Sequence, residues 1–124
     1  MFWKALLFCA FLLVYVPVFS APSPAAKMEI GQLMDALSQS GCRFQRNGSW
    51  YGAAEARAHL QRKYDYLLKK DKVDTAEQFI QRAASQSSMS GRAYRVKCQD
   101  KEQDASAWFG GQLRKLRQSP APAR

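Results

Sequence analysis

Apolar residues recur at helical intervals in four stretches of the chain and alternate in two others. Ile30, Leu33, Met34 and Leu37 follow i, i+3, i+4 and i+7 spacing, one face of a helix predicted over 27–40. Gly41 supplies its stop. Ala53, Ala56, Leu60, Tyr64 and Leu67 form the stripe of a second helix, 53–70, with Asp65 and Lys69 as an i,i+4 pair on its outer side. After a charged linker, Thr75 reads as an N-cap with Gln78 completing a capping box. The third helix runs to about 84 and buries Ala76, Phe79, Ile80 and Ala83. A fourth spans 105–118, with Trp108, Phe109, Leu113 and Leu116 inward. Gly110-Gly111 weakens its middle by about 1 kcal/mol per glycine, and Arg114, Lys115 and Arg117 suit the negative end of its dipole.

The alternating stretches are 42–51 and 93–98. Asn47-Gly48 is a strong type I′ turn signal. It predicts a hairpin that pairs Arg46 with Ser49, Gln45 with Trp50 and Phe44 with Tyr51. Cys42, Phe44 and Tyr51 then share one face, and Arg43, Gln45 and Trp50 the other. In the later stretch Tyr94, Val96 and Cys98 point one way, Arg95 and Lys97 the other. Residues 85–91 read as a serine-rich loop and 99–104 as a polar connection. No internal repeat is present. The expected fold is a single α+β domain over 27–118: four helices packed on a small antiparallel sheet. A disordered leader, 21–26, and a disordered Pro/Ala tail, 119–124, flank it.

Before the leader, Lys4 precedes an uncharged, mostly apolar run to Val16. Pro17 breaks the run, and small or branched residues end at Ser20. This is the layout of a secretory signal peptide over 1–20, cut before Ala21 or a few residues later. The alternative is a membrane anchor, for which the run is short of the roughly 20 residues a span requires. Cys9 leaves with the signal, so the exported chain keeps Cys42 and Cys98. An even count in an exported chain reads as one disulfide, and both cysteines fall on apolar strand faces. Two free thiols are the rival reading. Cleavage would leave an exported chain without a transmembrane span.

Composition narrows the chemistry. The chain has 124 residues, 19 Lys and Arg against 10 Asp and Glu, and one histidine. Loss of residues 1–20 lowers the net charge from +9 to +8. A single histidine and the absence of a CxxC pair exclude a multi-histidine metal site and the usual zinc or redox pair, so no cofactor is expected.

Ser40-Gly41-Cys42, Phe44, Arg46 to Tyr51, His59-Leu60 and Lys63-Tyr64 form a set, continued by Thr75-Ala76-Glu77 and Phe79-Ile80. Ser87 to Gly91, Tyr94 to Cys98 and Trp108 close it. Together they resemble the YfeK-like family of small exported bacterial proteins, a domain of unknown function, over about 28–117. The resemblance implies a bacterial periplasmic protein and brings no catalytic residues with it.

Candidate chemistry is therefore read from the residues. His59 has Glu55 one turn earlier, half of a hydrolase triad that Ser87, Ser88 or Ser90 would complete. Gly-x-Ser-x-Gly and Ser-x-x-Lys are both absent, so core packing or a backbone hydrogen bond is the plainer role for the histidine. If the two strand segments share a sheet, Arg43, Arg95 and Lys97 cluster on its outer face beside Trp50, with Arg46 and Arg92 towards its ends. That cationic surface suits an anionic envelope component or an acidic protein. No RRM, KH or zinc motif points to nucleic acid. The leading expectation is a monomeric, non-catalytic binding module using Arg43, Arg46, Trp50, Arg95 and Lys97. The alternatives are a small hydrolase built on His59 and Glu55, or a disulfide-stabilised inhibitor presenting Trp50 or the serine loop. Asn47-Gly48-Ser49 also matches a glycosylation acceptor, but the turn accounts for those residues without sugar.

Overall fold

The computed structural model describes residues 21–119, together with Ala10 and Leu13. The signal peptide expected over 1–20, including Cys9, lies outside the described residues apart from those two isolated positions, and 120–124 of the expected tail lie outside as well. No helix among the described residues is long and apolar enough to cross a membrane.

Helix α1 (Pro24–Gln39) begins three residues before the predicted start, so half of the expected leader is helical. The cause is local. Ser23 caps the helix, its hydroxyl accepting from the Ala26 N–H at 3.1 Å. Pro24 stands in the first turn, where its missing N–H costs nothing. Ala26 is buried and extends the apolar stripe one turn backwards from Ile30. At the other end the Ser40 hydroxyl donates to the Leu37 carbonyl and accepts from the Cys42 N–H. Gly41, at φ 70°, then turns the chain into the sheet.

Strands β1 (Arg43–Arg46) and β2 (Ser49–Tyr51) pair in the expected register. Asn47 and Gly48 both have positive φ, 50° and 84°, as a type I′ turn requires. Strand β3 (Arg95–Cys98) pairs antiparallel with β1, placing Arg43 opposite Lys97 and Phe44 opposite Val96. The expected polar connection is a fourth strand, β4 (Lys101–Asp104), paired with β3 around a Gln99-Asp100 turn. Its residues are Lys-Glu-Gln-Asp, so it shows no apolar alternation. Pairing with β3 makes it a strand, not a hydrophobic face of its own. The sheet order is β2-β1-β3-β4, all antiparallel.

Helix α2 (Ala53–Lys69) lies against β1, and α4 (Ala105–Gln118) against β3 and β4. Helix α1 packs between them and also touches α3 (Ala76–Arg82). Thr75 caps α3 as expected, accepting from the Gln78 N–H. The Gln78 amide oxygen reaches back to the Asp74 N–H, one residue earlier than the reciprocal bond of a capping box. On α2, Asp65 accepts from Gln61 in place of the expected pairing with Lys69.

Phe44 and Val96 from the inner face of the sheet join Leu33, Leu37, Leu60, Phe79 and Phe109 in one core, each at most 1% exposed. Aromatic pairs run through it: Phe44–Tyr94 at 5.0 Å, Tyr64–Phe79 at 5.8 Å and Trp108–Phe109 at 4.9 Å between centroids. Cys42 and Cys98 are bonded at the edge of this core, their Cα atoms 4.4 Å apart, one step beyond the Arg43–Lys97 pair. Ion pairs tie helices together outside it: Arg57 to Asp35, and Arg117 to both Glu29 and Glu77.

Candidate functional site

The outer face of the sheet carries Arg43, Gln45, Trp50, Arg95 and Lys97 together, as the alternation predicts. It also carries Glu102 and Asp104, which β4 places opposite Lys97 and Arg95. The Arg95 guanidinium donates to Glu102 at 3.1 Å and to Asp104 at 2.6 Å. Three cations therefore face two carboxylates, so the cationic face expected from the sequence is only partly neutralised. Trp50 is half-buried beside Arg43 and Lys97 around an open hollow of about 330 Å³.

Arg46 does not join that face. It shares the parity of Phe44, so at the end of β1 its side chain turns towards α2. There its guanidinium lies 2.5 Å from His59 Nδ1 and 5.2 Å from the centre of the Tyr51 ring. The other ring nitrogen of His59, Nε2, is 3.1 Å from the Tyr94 hydroxyl. Lys63, one turn along α2, donates to the same hydroxyl at 3.1 Å and to the Gln86 carbonyl at 2.8 Å. Tyr94 is 1% exposed, so this network roots the site in the core.

The chemistry of the partners assigns the tautomer. A guanidinium has only donors, so Nδ1 accepts from Arg46 and the imidazole proton sits on Nε2, donated to Tyr94. A second proton on the ring would set Nδ1–H against the guanidinium. Burial, then the charges of Arg46, Lys63 and Arg62, accordingly push the His59 pKa down from 6.5 to about 4. Burial, followed by Arg46, lowers Lys63 to about 8. Burial raises the Tyr94 hydroxyl, with Arg46 pulling the other way.

Two cavities meet at His59 and Arg62. The smaller, about 180 Å³, is walled by Phe44, Arg46, Tyr51, Glu55 and Ala56. The larger, about 390 Å³, runs along α2 past Lys63, Tyr66 and Leu67 to Arg82 and Ser88. Among the described residues, Arg46, Arg62, Lys63 and Arg82 lie within 4.0 Å of no carboxylate, whereas Arg57, Arg95 and Arg117 all do.

The triad that the hydrolase alternative requires does not assemble. The hydrogen bonds of His59 run to Arg46 and Tyr94, not to Glu55 or a serine. Glu55 sits in the first turn of α2, where its charge suits the dipole. Ser87, 5% exposed, accepts from the N–H groups of Met89 and Ser90 and from the Asn47 amide. Ser90 donates to the Asn47 side-chain oxygen at 2.6 Å. The serine loop is thus a clasp on the hairpin turn, and Asn47 is engaged at both ends of its amide. The guanidinium of Arg92 lies beside Gly48 in the hairpin turn, at that end of the sheet.

Sequence reasoning singled out His59 and Arg46 but not their contact, and it passed over Arg62, Lys63, Arg82 and Tyr94 as site residues. For Arg62 and Lys63 the available signal was spacing: 59, 62, 63 and 66 follow i, i+3, i+4 and i+7 on one side of α2.

A small α+β domain stapled by one disulfide, with a cationic cleft beside its hairpin, defines the class. The chain belongs to a family of unknown function (DUF5329), whose model matches residues 24–117. It is 34% identical over 84 residues to "Uncharacterized protein YfeK" of Salmonella typhimurium (strain LT2), covering 67% of this chain and 68% of that protein. No solved structure matches.

Proposed function

We propose that the protein is an exported periplasmic binding module that takes an anionic envelope partner in the cleft around Arg46, His59, Arg62 and Lys63. One observation carries this reading: Arg46, Arg62 and Lys63 converge on a half-buried histidine with no carboxylate paired to them, whereas on the outer sheet face β4 sets two carboxylates among three cations and Arg95 pairs with both. An anion bound here would relieve a repulsion that the fold maintains. The hydrolase reading has less support, because both ring nitrogens of His59 are engaged and a histidine near pKa 4 is a weak base at neutral pH.

The test is titration of lipopolysaccharide into the purified protein at two salt concentrations. Binding is expected to weaken with salt. It is expected to be lost in an Arg46→Gln/Arg62→Gln variant and kept in Arg43→Gln/Lys97→Gln. The reverse pattern would move the site to the sheet face, and equal binding by both variants would end the reading. Export is checked by the intact mass after expression with the leader: residues 21–124 less two hydrogens is expected, and an uncleaved product would overturn it.

The inhibitor reading keeps one observation in its favour: Met89 stands 98% exposed at the tip of the clasped serine loop. An inhibitor that used this loop would lose its target on Met89→Asp.

A further inference from the structure

We infer that the anion taken by this cleft is a phosphate monoester, seated in the larger cavity between Arg62, Lys63 and Arg82, with its organic substituent lying against Tyr66 and Leu67. The inference rests on the anion-binding reading and names the ligand class for the same site.

The two cavities differ in charge. The smaller contains Glu55, a carboxylate that would repel an anion at its wall. The larger has none: its charged lining is Arg62, Lys63 and Arg82, drawn from α2 and the end of α3, with the Ser88 hydroxyl opposite. His59 closes the boundary as a neutral ring, because Arg46 already occupies its Nδ1. A lone carboxylate would answer one of three cations and present two oxygens in one plane. A phosphate monoester carries close to two negative charges at neutral pH and three acceptor oxygens. The Arg62 fork, the donors left on Arg82 after its hydrogen bond to the Lys72 carbonyl, and a lysine point charge match that tetrahedral set. Lys63 spends two of its hydrogens on Gln86 and Tyr94, which leaves one directed by a fixed ammonium.

The wall beyond the cations is apolar. Tyr66 is 57% exposed, and Leu67 beside it is half-buried. Lys70 lies 5.9 Å from the outer Tyr66 ring centre and holds the ring on the helix surface. A bare ion would leave this wall uncovered, whereas an ester arm would cover it. At about 390 Å³ the cavity falls near the lower end of small-molecule sites.

His59 is the sole histidine, so its ring proton resonance is a single, assigned reporter at the boundary of the site. The experiment titrates phenyl phosphate, inorganic phosphate and benzoate into the folded, disulfide-bonded protein at about pH 7.5, where the ester is a dianion. Phenyl phosphate is expected to shift the His59 resonance saturably and to raise its titration midpoint. Benzoate, with the same arm and a single charge, is expected to bind at least roughly tenfold more weakly, as for one lost charge-assisted hydrogen bond. Inorganic phosphate should fall between them. Arg62→Gln, which removes a side chain outside the internal network, should weaken phenyl phosphate by a similar factor, and Arg43→Gln on the opposite sheet face should not. Vesicles containing phosphatidic acid, set against phosphatidylcholine, separate a lipid headgroup from a soluble ester as the source of the same group.

Benzoate binding as tightly as phenyl phosphate would overturn the phosphate assignment and leave the anion cleft standing. Equal affinity for inorganic phosphate would overturn the role of Tyr66 and Leu67. If no probe moves His59, and lipopolysaccharide binding is indifferent to Arg62→Gln, the cleft reading falls with it.

Discussion

The outer face of the sheet and the cleft beside α2 draw on similar side chains and treat them in opposite ways. On the sheet face Arg95 meets Glu102 and Asp104 across one strand boundary. Each of these pairs is surface-exposed and contributes roughly 0–1 kcal/mol, so the face is partly neutralised and not strongly stabilised. In the cleft, Arg46, Arg62 and Lys63 surround a neutral histidine with no paired carboxylate, and the cluster disfavours its own protonation. The lesson is that basic composition alone does not locate a site. A cation matters for recognition when its own chain has not already neutralised it.

The largest expected effect concerns what holds the two regions in place. Replacing Cys42 and Cys98 with serine opens a staple between residues 56 positions apart. The chain-entropy model puts the loss at roughly 4 kcal/mol, and a urea midpoint measures it. If the midpoint barely moves, the sheet and cleft are held by the core alone.

The second test separates the regions by their protons. The His59 pKa is about 4 in the folded protein and 6.5 as the ordinary value. The unfolded chain therefore takes up this proton first as pH falls, and stability is lost between pH 6.5 and about 4. Arg46→Gln is expected to lift the midpoint above 4 but not to 6.5, because burial is the larger cause. The same variant should flatten the fall of Tm over that window. Arg95→Gln should leave both unchanged. An unmoved His59 midpoint in Arg46→Gln would break the electrostatic account of the cleft.

Smaller effects follow. Ser87→Ala removes the acceptor for Met89 and Ser90 and frees the Asn47 amide, at a cost of about 1 kcal/mol measured by urea unfolding. Arg95→Gln leaves Glu102 and Asp104 without their partner and should cost about 0.5 kcal/mol. Arg62→Gln, the counterpart in the cleft, should be neutral or slightly stabilising, within about 0.5 kcal/mol. A clear loss of stability in Arg62→Gln would mean that the cleft cations are structural.

The elements that were legible are those whose signals are local. Asn47-Gly48 specified turn type and register in six residues. Periodic apolar side chains specified four helices, and Ser23-Pro24 carried a start signal for α1 that a periodicity counted from Ile30 did not reach. Strand β4 was illegible because its inward position opposite Val96 is Gln103, so a strand made by backbone pairing left no hydrophobic trace. The two carboxylates that quiet Arg95 stood seven and nine residues away from it, but they became its partners only once β4 formed. His59 was visible as a lone histidine. Its relation to Arg46, 13 residues away, and to Tyr94, 35 residues away, was not.

By itself, then, the sequence determined the helices, the first hairpin, the apolar faces and the pairing of Cys42 with Cys98. These follow from spacing and turn chemistry, which act over short stretches, and, for the cysteines, from their both falling on apolar strand faces. The tertiary structure alone decided which cations are neutralised and which are not. Coulomb interactions depend on distance and burial in space, and those are properties of the packed helices and sheet rather than of order along the chain.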